Sequence, residues 1–196
     1  EAIEALKAMG CDRFVFDLRD NPGGELSSIV AVLSRFLDEG NVVLTKKDNE
    51  GNVSDSSVRV VADDPNSEID CPVSKRDIGK YKGLNCVVLC NQNTASAAEV
   101  FVANFRDYNI AKIIGTTTYG KGTVQSYLPL SYYGIDGVLK MTVYKYFPPC
   151  GEGYDGIGIE PNVTAELSDE AKQYNSYELL GKSVDNQLME AVKYFK

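Results

Sequence analysis

One run of consecutive apolar residues, Cys86–Cys90, constrains the fold of this chain more than any other feature. Residues 85–90, which contain this run, are predicted to form a fully buried strand, so other elements must cover it. Two further stretches, at 13–18 and 112–115, also predict strands. An amphipathic helical pattern lies between them at about 26–38, with an apolar core face formed by Ile29, Val32, Leu33 and Phe36. Strands that alternate with helices in this way predict an α/β fold in which helices cover the sheet.

The remaining elements are two further strands, a hairpin, two terminal helices and a polar stretch. Residues 42–45 and 58–61 predict the two strands, with a turn at 48–52 between them. Residues 123–130 and 137–146 predict a β-hairpin. Helices are predicted at 2–9 and at about 186–195. Residues 62–83 are polar and rich in turn formers, which indicates a surface excursion that we interpret as an insertion.

The charge and length of the chain exclude some classes of protein. Its net charge is −8 and its sequence pI is near 4.7, which argues against a nucleic-acid surface and a polybasic membrane patch. No apolar run approaches the ~20 residues of a membrane span, so we expect no membrane contact from this segment. The length of 196 residues predicts one domain, 1–196. Because the chain opens inside a helical pattern, we expect it to have been cut from a longer polypeptide.

The five cysteines predict neither a disulfide framework nor a metal site. Cys86 and Cys90 would share one face of a strand but stand ~13 Å apart, which is too far for a disulfide, so we expect them to be small core residues. Cys11, Cys71 and Cys150 lack metal-ligand spacing, and the chain contains no histidine. We therefore predict no metal and no cofactor.

The absence of histidine also means that a serine nucleophile would need another base. Ser96 follows the buried strand and begins a helical pattern that runs to about Asp107. This position exposes the side chain and directs free backbone N–H groups and the positive end of the helix toward it. Ser96 is therefore a candidate nucleophile, and the alternative is a plain N-cap serine or a small packing residue.

Lys121 is the candidate base, 25 residues after Ser96 and between two glycines that allow close backbone approach. A lysine that burial keeps neutral can take the place of histidine. Gln125 follows four residues later, where it would share the face of Thr123 in a strand and could orient the lysine. The alternatives are a solvated loop lysine and an ordinary polar strand residue.

A third cluster is the sequence DLRDNPGG at 17–24, in which a strand runs into a Pro-Gly-Gly turn. Such a turn frees backbone N–H groups for an anion. We interpret Asp17 and Arg19 as a structural ion pair. The cluster has neither a GxGxxG pattern nor a Gly-Lys-Ser/Thr ending, so it is not a phosphate-binding loop.

Four motifs in order, DLRDNPGG, NTASAAE, YGKGTVQ and GIGIEPN, resemble the C-terminal processing (tail-specific) peptidases, which are Ser-Lys serine proteases. The resemblance covers roughly residues 10–166. It implies a ClpP/crotonase-like β-β-α core with an added β-hairpin. It also implies that Ser96 is the nucleophile, Lys121 the general base and Gln125 the residue that orients the lysine. The oxyanion hole would combine the backbone N–H of Ala97 with one from Gly23 or Gly24.

The resemblance further implies a polypeptide substrate cleaved near its C-terminus, and a location in the cell envelope or outside the cell. The PDZ domain that family members usually place before the catalytic core has no counterpart in this segment, so the isolated fragment is expected to be inactive or incomplete. One alternative is a catalytically silent module of the same fold that binds a lipophilic ligand or a peptide. Another is a crotonase-type acyl-CoA enzyme working through carboxylates, although we expect Glu99, the acidic residue next to Ser96, to be structural.

Overall fold

The computed structural model describes residues 1–48, 50, 57–62 and 73–195. Its strands are β1 Phe14–Asp17, β2 Val42–Lys47, β3 Val58–Arg59, β4 Cys86–Cys90, β5 Lys112–Gly115, β6 Thr123–Pro129, β7 Val138–Phe147 and β8 Val163–Thr164. The helices are α1 Ala2–Ala8, α2 Leu26–Ser34, α3 Ala97–Asp107, α4 Ser176–Leu179 and α5 Asn186–Ala191. Short 3-10 turns lie at Lys75–Asp77, Leu130–Tyr133, Ala171–Gln173 and Val192–Tyr194. The predicted α/β class is confirmed.

The centre of the fold is a parallel sheet with the strand order β1-β4-β5-β8. Alternate residues of β4 point to opposite faces, as the strand period of two requires. Cys86, Val88 and Cys90 pack into the larger apolar cluster with α2 and α3. Val87 and Leu89 pack against Ala191 of α5. All five residues of β4 are buried because helices cover both faces of the sheet. The fully buried strand predicted from Cys86–Cys90 is thus confirmed.

Helix α3 is anchored in the core along most of its length, since every residue from Ala97 to Phe105 is buried. The ring of Phe105 stacks on Phe101 with a centroid distance of 4.0 Å and meets Phe36 at 5.0 Å and Phe16 at 5.6 Å. Buried aromatic rings contribute both large apolar area and specific ring geometry. The start of α3 is therefore held rigidly at the carboxyl end of β4.

A second, antiparallel sheet with the order β3-β2-β7-β6 lies beside this core. Strand β2 joins it to the core, because Val43 and Leu44 are buried and the Val43 carbonyl accepts a hydrogen bond of 2.9 Å from Asn104 of α3. Strands β6 and β7 form the predicted hairpin, most of which is exposed. The loop that connects β5 to β6 carries Lys121 from one sheet to the other.

Some predicted boundaries were wrong. The α2 helix ends at Ser34 rather than near residue 38, and Phe36 and Leu37 are buried beyond its end. Val32, predicted on the core face, is 41% exposed. The sequence patterns also missed β8 and α4, which are only two and four residues long.

Other predictions fall partly or wholly outside the described residues. Cys71, the turn at 48–52 and the excursion at 62–83 belong to this group, although 73–83 is described and includes a 3-10 turn. Cys86 and Cys90 are buried, as expected of core residues. Within the described ranges, no helix combines the length and the apolar character needed to cross a membrane.

Candidate active site

Ser96 lies in a strained turn between β4 and α3. Its backbone has φ +57° and ψ −124°, a combination that side-chain-bearing residues rarely adopt. Such a conformation costs of order 1–3 kcal/mol and persists only where the surrounding structure holds it. A sharp strand-to-helix turn of this kind projects a serine side chain out of the fold. Ser96 is half-buried, while its neighbours Ala95 and Ala97 are buried.

The carboxylate of Glu99, which is fully buried, holds this turn. Its Oε2 accepts hydrogen bonds from the backbone N–H of Ser96 at 2.9 Å and of Lys121 at 2.8 Å. Its Oε1 accepts from the Gly120 N–H at 2.7 Å and from the Thr118 hydroxyl at 2.6 Å. Four donors compensate the buried charge, and hydrogen bonds to a carboxylate are stronger than neutral ones. One side chain therefore connects the backbone of the candidate nucleophile to that of the candidate base.

Glycines allow the loop that carries Lys121 to pack backbone against backbone on the late segment 154–159. A Cβ on Gly120 would lie 2.7 Å from the Gly158 nitrogen, and one on Gly158 would lie 2.2 Å from the Thr118 carbonyl oxygen. The Thr118 hydroxyl also accepts a hydrogen bond of 2.8 Å from the Ile159 N–H. The close approach that the glycines beside Lys121 predicted is thus present, and the GIGIEPN motif is what the loop packs against.

The glycine turn after β1 is in contact with the Ser96 turn. The Ala95 N–H donates a hydrogen bond of 2.9 Å to the Asn21 carbonyl. A Cβ on Gly23 would lie 2.5 Å from the Ala95 carbonyl oxygen and 2.8 Å from the Ala97 nitrogen. Gly23 also has φ +92°, which favours glycine independently of the contact. Both observations require glycine at position 23.

Two backbone donors remain free at this junction. The Gly23 N–H donates to the Asn21 side chain at 2.9 Å, so it is already engaged. By contrast, the Gly24 and Ala97 N–H groups donate no hydrogen bond within the described residues. Both residues line one open groove of about 190 Å³. Of the two glycines that the sequence left open, Gly24 has the available donor.

The same groove supplies an apolar surface beside Ser96. Five apolar residues line this part of the groove. They come from the residue after β1, from α2 and from α3: Leu18, Ile29, Val32, Ala98 and Phe101. The groove also accounts for the exposure of Val32, which faces it instead of the core. An apolar side chain of a bound ligand would fit here better than a charged one.

The structure brings Ser96 and Lys121 together through Glu99, but their side chains are not hydrogen-bonded to each other. Within the described residues, Lys121 forms no ion pair, so its nitrogen is not committed to a carboxylate. Gln125 is exposed on β6 opposite Thr142, and no side-chain hydrogen bond of Gln125 occurs in the described part of the chain. Its role remains a prediction.

Sequence reasoning undervalued Glu99 and missed Thr118. Glu99 was expected to be structural, and it is, but the structure that it maintains is the candidate site itself. The available signal was its place three residues after an N-cap serine, the spacing of a capping box. Thr118 gave no comparable signal, because its contacts with Glu99 and Ile159 are 19 and 41 residues distant in sequence.

Cys90 is the nucleophilic side chain beneath the site. It is fully buried, and its thiol donates to the Thr116 carbonyl at 3.4 Å. Burial, with a smaller contribution from the negative charge of Glu99, raises the pKa of the Cys90 thiol to about 12. Since the thiolate is the reactive form, Cys90 does not compete with Ser96 at neutral pH.

Comparison with known proteins identifies the class of protein. The family model described as peptidase family S41 matches residues 1–165. A carboxy-terminal-processing protease of Bartonella bacilliformis is 34% identical over 171 residues, which cover 87% of this chain and 35% of that protein. The carboxy-terminal processing protease CtpA of Bacillus subtilis is 33% identical over 172 residues, covering 88% of this chain and 32% of that protein.

A solved structure shows the same relationship. The photosystem II D1 C-terminal processing protease superposes with a TM-score of 0.65 at 28% identity, covering 94% of this chain and 42% of that chain. The chain belongs to peptidase family S41, a family of serine peptidases, and the resemblance indicated by the four motifs is confirmed. The chain spans about a third of the length of the curated relatives that it matches. Residues 166–195 lie beyond the part that the family model matches.

The contact between the lysine loop and Gly158 can be tested against a glycine of similar conformation. Gly158 and Gly134 have φ values of +79° and +71°, but a Cβ on Gly134 would have nothing within 4 Å. The substitution G134A is expected to lower the free energy of unfolding by about 1–2 kcal/mol from backbone strain alone. G158A is expected to lower the free energy of unfolding further, because the Thr118 carbonyl must move. Equal losses of stability for the two variants in urea titrations would contradict this.

Proposed function

We propose that the chain is the catalytic core of a serine endopeptidase in which Ser96 is the nucleophile and Lys121 the general base. The observation that carries this proposal is the pair of hydrogen bonds from the Ser96 and Lys121 N–H groups to one oxygen of Glu99. A plain helix cap has no need of a second loop bound to the same carboxylate. The strained backbone of Ser96 supports the same role, because such strain clusters at functional sites.

In the proposed reaction, neutral Lys121 accepts the Ser96 proton as the serine oxygen attacks a peptide carbonyl carbon. The N–H groups of Ala97 and Gly24 donate to the resulting oxyanion, each lowering the barrier by ~3 kcal/mol. The tetrahedral intermediate collapses, the C–N bond breaks, and the lysine ammonium protonates the leaving amine. A water molecule, deprotonated by Lys121, then attacks the acyl-enzyme carbonyl carbon. As the ester C–O bond breaks, the lysine ammonium returns the proton to the Ser96 oxygen, which restores the free serine and the neutral amine.

Side-chain contact between Ser96 and Lys121 is expected to form when substrate occupies the groove. Catalytic hydrogen bonds are often long in unliganded enzymes and tighten in the complex. Desolvation by a bound polypeptide would favour the neutral amine over the ammonium. Gln125, four residues beyond the base on β6, would orient the lysine in that closed state.

We further propose that the core is of the ClpP/crotonase-like β-β-α type with β6 and β7 as the added hairpin, and that 1–196 forms one catalytic unit. The polypeptide substrate would be cut near its C-terminus, with an apolar side chain of the substrate in the groove beside Ser96.

The relatives named as carboxy-terminal processing proteases support this substrate class. We also propose that the enzyme acts in the cell envelope or outside the cell, as the family resemblance implies, and fractionation of producing cells would test this.

The geometry of the site does not favour the two alternative functions. A crotonase-type enzyme would need a carboxylate free to exchange protons, but both oxygens of Glu99 are occupied by four donors. A silent binding module would gain nothing from the strained Ser96 turn and the two free N–H groups. A fluorophosphonate probe separates the cases, since only the peptidase is expected to be modified at Ser96.

Substitution of the proposed base gives a direct test. K121R keeps the positive charge and the length of the side chain, but a guanidinium is not deprotonated in proteins. K121R and K121A are therefore both expected to lose peptide cleavage in the intact protein, as is S96A. K140A, on an exposed part of β7, is the matched control and is expected to remain active. Retained turnover in K121R would overturn the assignment of the base.

The oxyanion donor can be tested at Gly24 with a matched pair of substitutions. A Cβ on Gly24 would have nothing within 4 Å, so G24A keeps the N–H without a clash and is expected to stay near wild-type activity. G24P removes the N–H. Loss of one such donor is expected to lower kcat by about 10²–10³-fold. Equal kcat values for the two variants would show that Gly24 does not donate to the oxyanion.

A further inference from the structure

The base of the oxyanion turn is held by a buried arginine whose donors are all engaged. Arg19, 5% exposed, lies two residues beyond the end of β1. Its Nε and Nη2 donate to the Asp17 carboxylate at 2.9 and 2.6 Å, which confirms the ion pair interpreted from the sequence. Its Nη1 and Nη2 also donate to Asp185 at 3.0 and 2.8 Å, and Nη1 donates to the Gln187 side chain at 3.1 Å. These contacts use all five N–H groups of the guanidinium.

Two of the three acceptors come from the C-terminal segment 166–195, which lies beyond the part matched by the family model. Asp185, whose side chain is fully buried, is the N-cap of α5 and also accepts a hydrogen bond of 3.0 Å from the Leu188 N–H. Gln187 donates to the Ala165 carbonyl at 2.6 Å, so its amide is oriented with the oxygen toward Arg19. Apolar packing of α5 on β4 and β5 holds both acceptors in place.

Asp20, the residue after Arg19, also holds the start of the glycine turn. Asp20 has φ +58°, and its carboxylate accepts hydrogen bonds of 2.8 Å from the side chains of Asn91 and Asn93. Partial burial raises the pKa of Asp20, but hydrogen bonds from Ser176, Asn93 and Asn91 outweigh this and hold the pKa below its usual value. Ser176 begins α4 in the same C-terminal segment. Arg19 is therefore hydrogen-bonded directly to 166–195, while Asp20 lies near enough to Ser176 for its pKa to be lowered.

We propose that the C-terminal segment 166–195 positions the oxyanion turn of the active site, and that Asp185 is its principal positioning residue, acting through Arg19. This inference rests on the proposed function of Ser96 and Gly24. The route is short, because Arg19 and Asp20 lead directly into Asn21, whose carbonyl binds Ala95, and then into Gly23 and Gly24.

The proposal predicts a specific kinetic defect when Asp185 loses its charge. D185N keeps the size of the side chain and an oxygen to cap α5, but its amide hydrogens face a guanidinium that has only donors. Arg19 must then shift, and the Gly24 N–H shifts with it. Because that donor acts on the oxyanion and not on the bound substrate, kcat is expected to fall about tenfold or more with KM nearly unchanged.

The test compares D185N with E190Q in the intact protein. Glu190 lies on the same helix but forms a surface pair with Lys193, so E190Q is the matched control. Two measurements are made on each variant: kcat and KM on a peptide, and hydrogen–deuterium exchange of the segment 18–25. D185N is expected to exchange faster in 18–25 and to lose kcat, whereas E190Q changes neither. If D185N does not fold, Q187M removes a single acceptor and is expected to change both quantities in the same direction by a smaller amount.

The outcomes distinguish the positioning role of Asp185 from the proposed peptidase function on which it rests. Unchanged exchange of 18–25 in D185N would overturn the positioning role, whatever happens to activity. Faster exchange with unchanged kcat, in a protein that S96A inactivates, would also overturn it, since Asp185 would then be only structural. Full activity of S96A would instead refute the proposed function, while the exchange result would still report whether the C-terminal segment holds the turn.

Discussion

The buried carboxylate of Glu99 is the interaction on which the candidate site depends. Among the described residues, no cationic side chain donates a hydrogen bond to this carboxylate. Its charge is compensated instead by three backbone N–H groups and the Thr118 hydroxyl. A fully buried carboxylate would be costly without such donors. Because the donors come from the Ser96 turn and from the loop around Lys121, 25 residues later, satisfying the charge also fixes the distance between those loops. The need of the Glu99 carboxylate for hydrogen-bond donors thus sets the relative position of the Ser96 and Lys121 backbones.

The surrounding fold converts this local requirement into a rigid site. Helix α3 is buried from Ala97 to Phe105, so Glu99 cannot turn away from the loops it binds. On the opposite side, Gly120 and Gly158 bring the lysine loop against the late segment with no side chain between them. On the third side, the turn at Gly23 touches Ser96 directly, and Arg19 connects that turn to α5. The Ser96 turn therefore contacts the glycine turn directly and is joined to the lysine loop through the side chain of Glu99.

Much of this arrangement could be predicted from sequence, and what could not has physical causes. The buried strand β4, the start of α3 at Ser96 and the hairpin followed from apolar periodicity and turn residues, which are local signals. The end of α2 was misplaced because the apolar pattern continues through Phe36 and Leu37 after the helix itself has ended. The Arg19–Asp185 pair joins residues 166 positions apart, and no periodicity reports such a contact. Likewise, the choice of Gly24 over Gly23 depended on which N–H was already engaged, and only coordinates show that.

The central claim is that Glu99 organises Ser96 as a nucleophile, and the rate of Ser96 modification by a fluorophosphonate probe tests it most directly. The probe is applied to the wild-type protein, to E99Q and to E160Q, whose substitution is at an exposed glutamate. Peptide mapping by mass spectrometry locates the adduct. The account predicts an adduct on Ser96 in the wild type and in E160Q, formed at equal rates, and formation at least about tenfold slower in folded E99Q. An adduct on another residue, or equal rates in E99Q and the wild type, would contradict it.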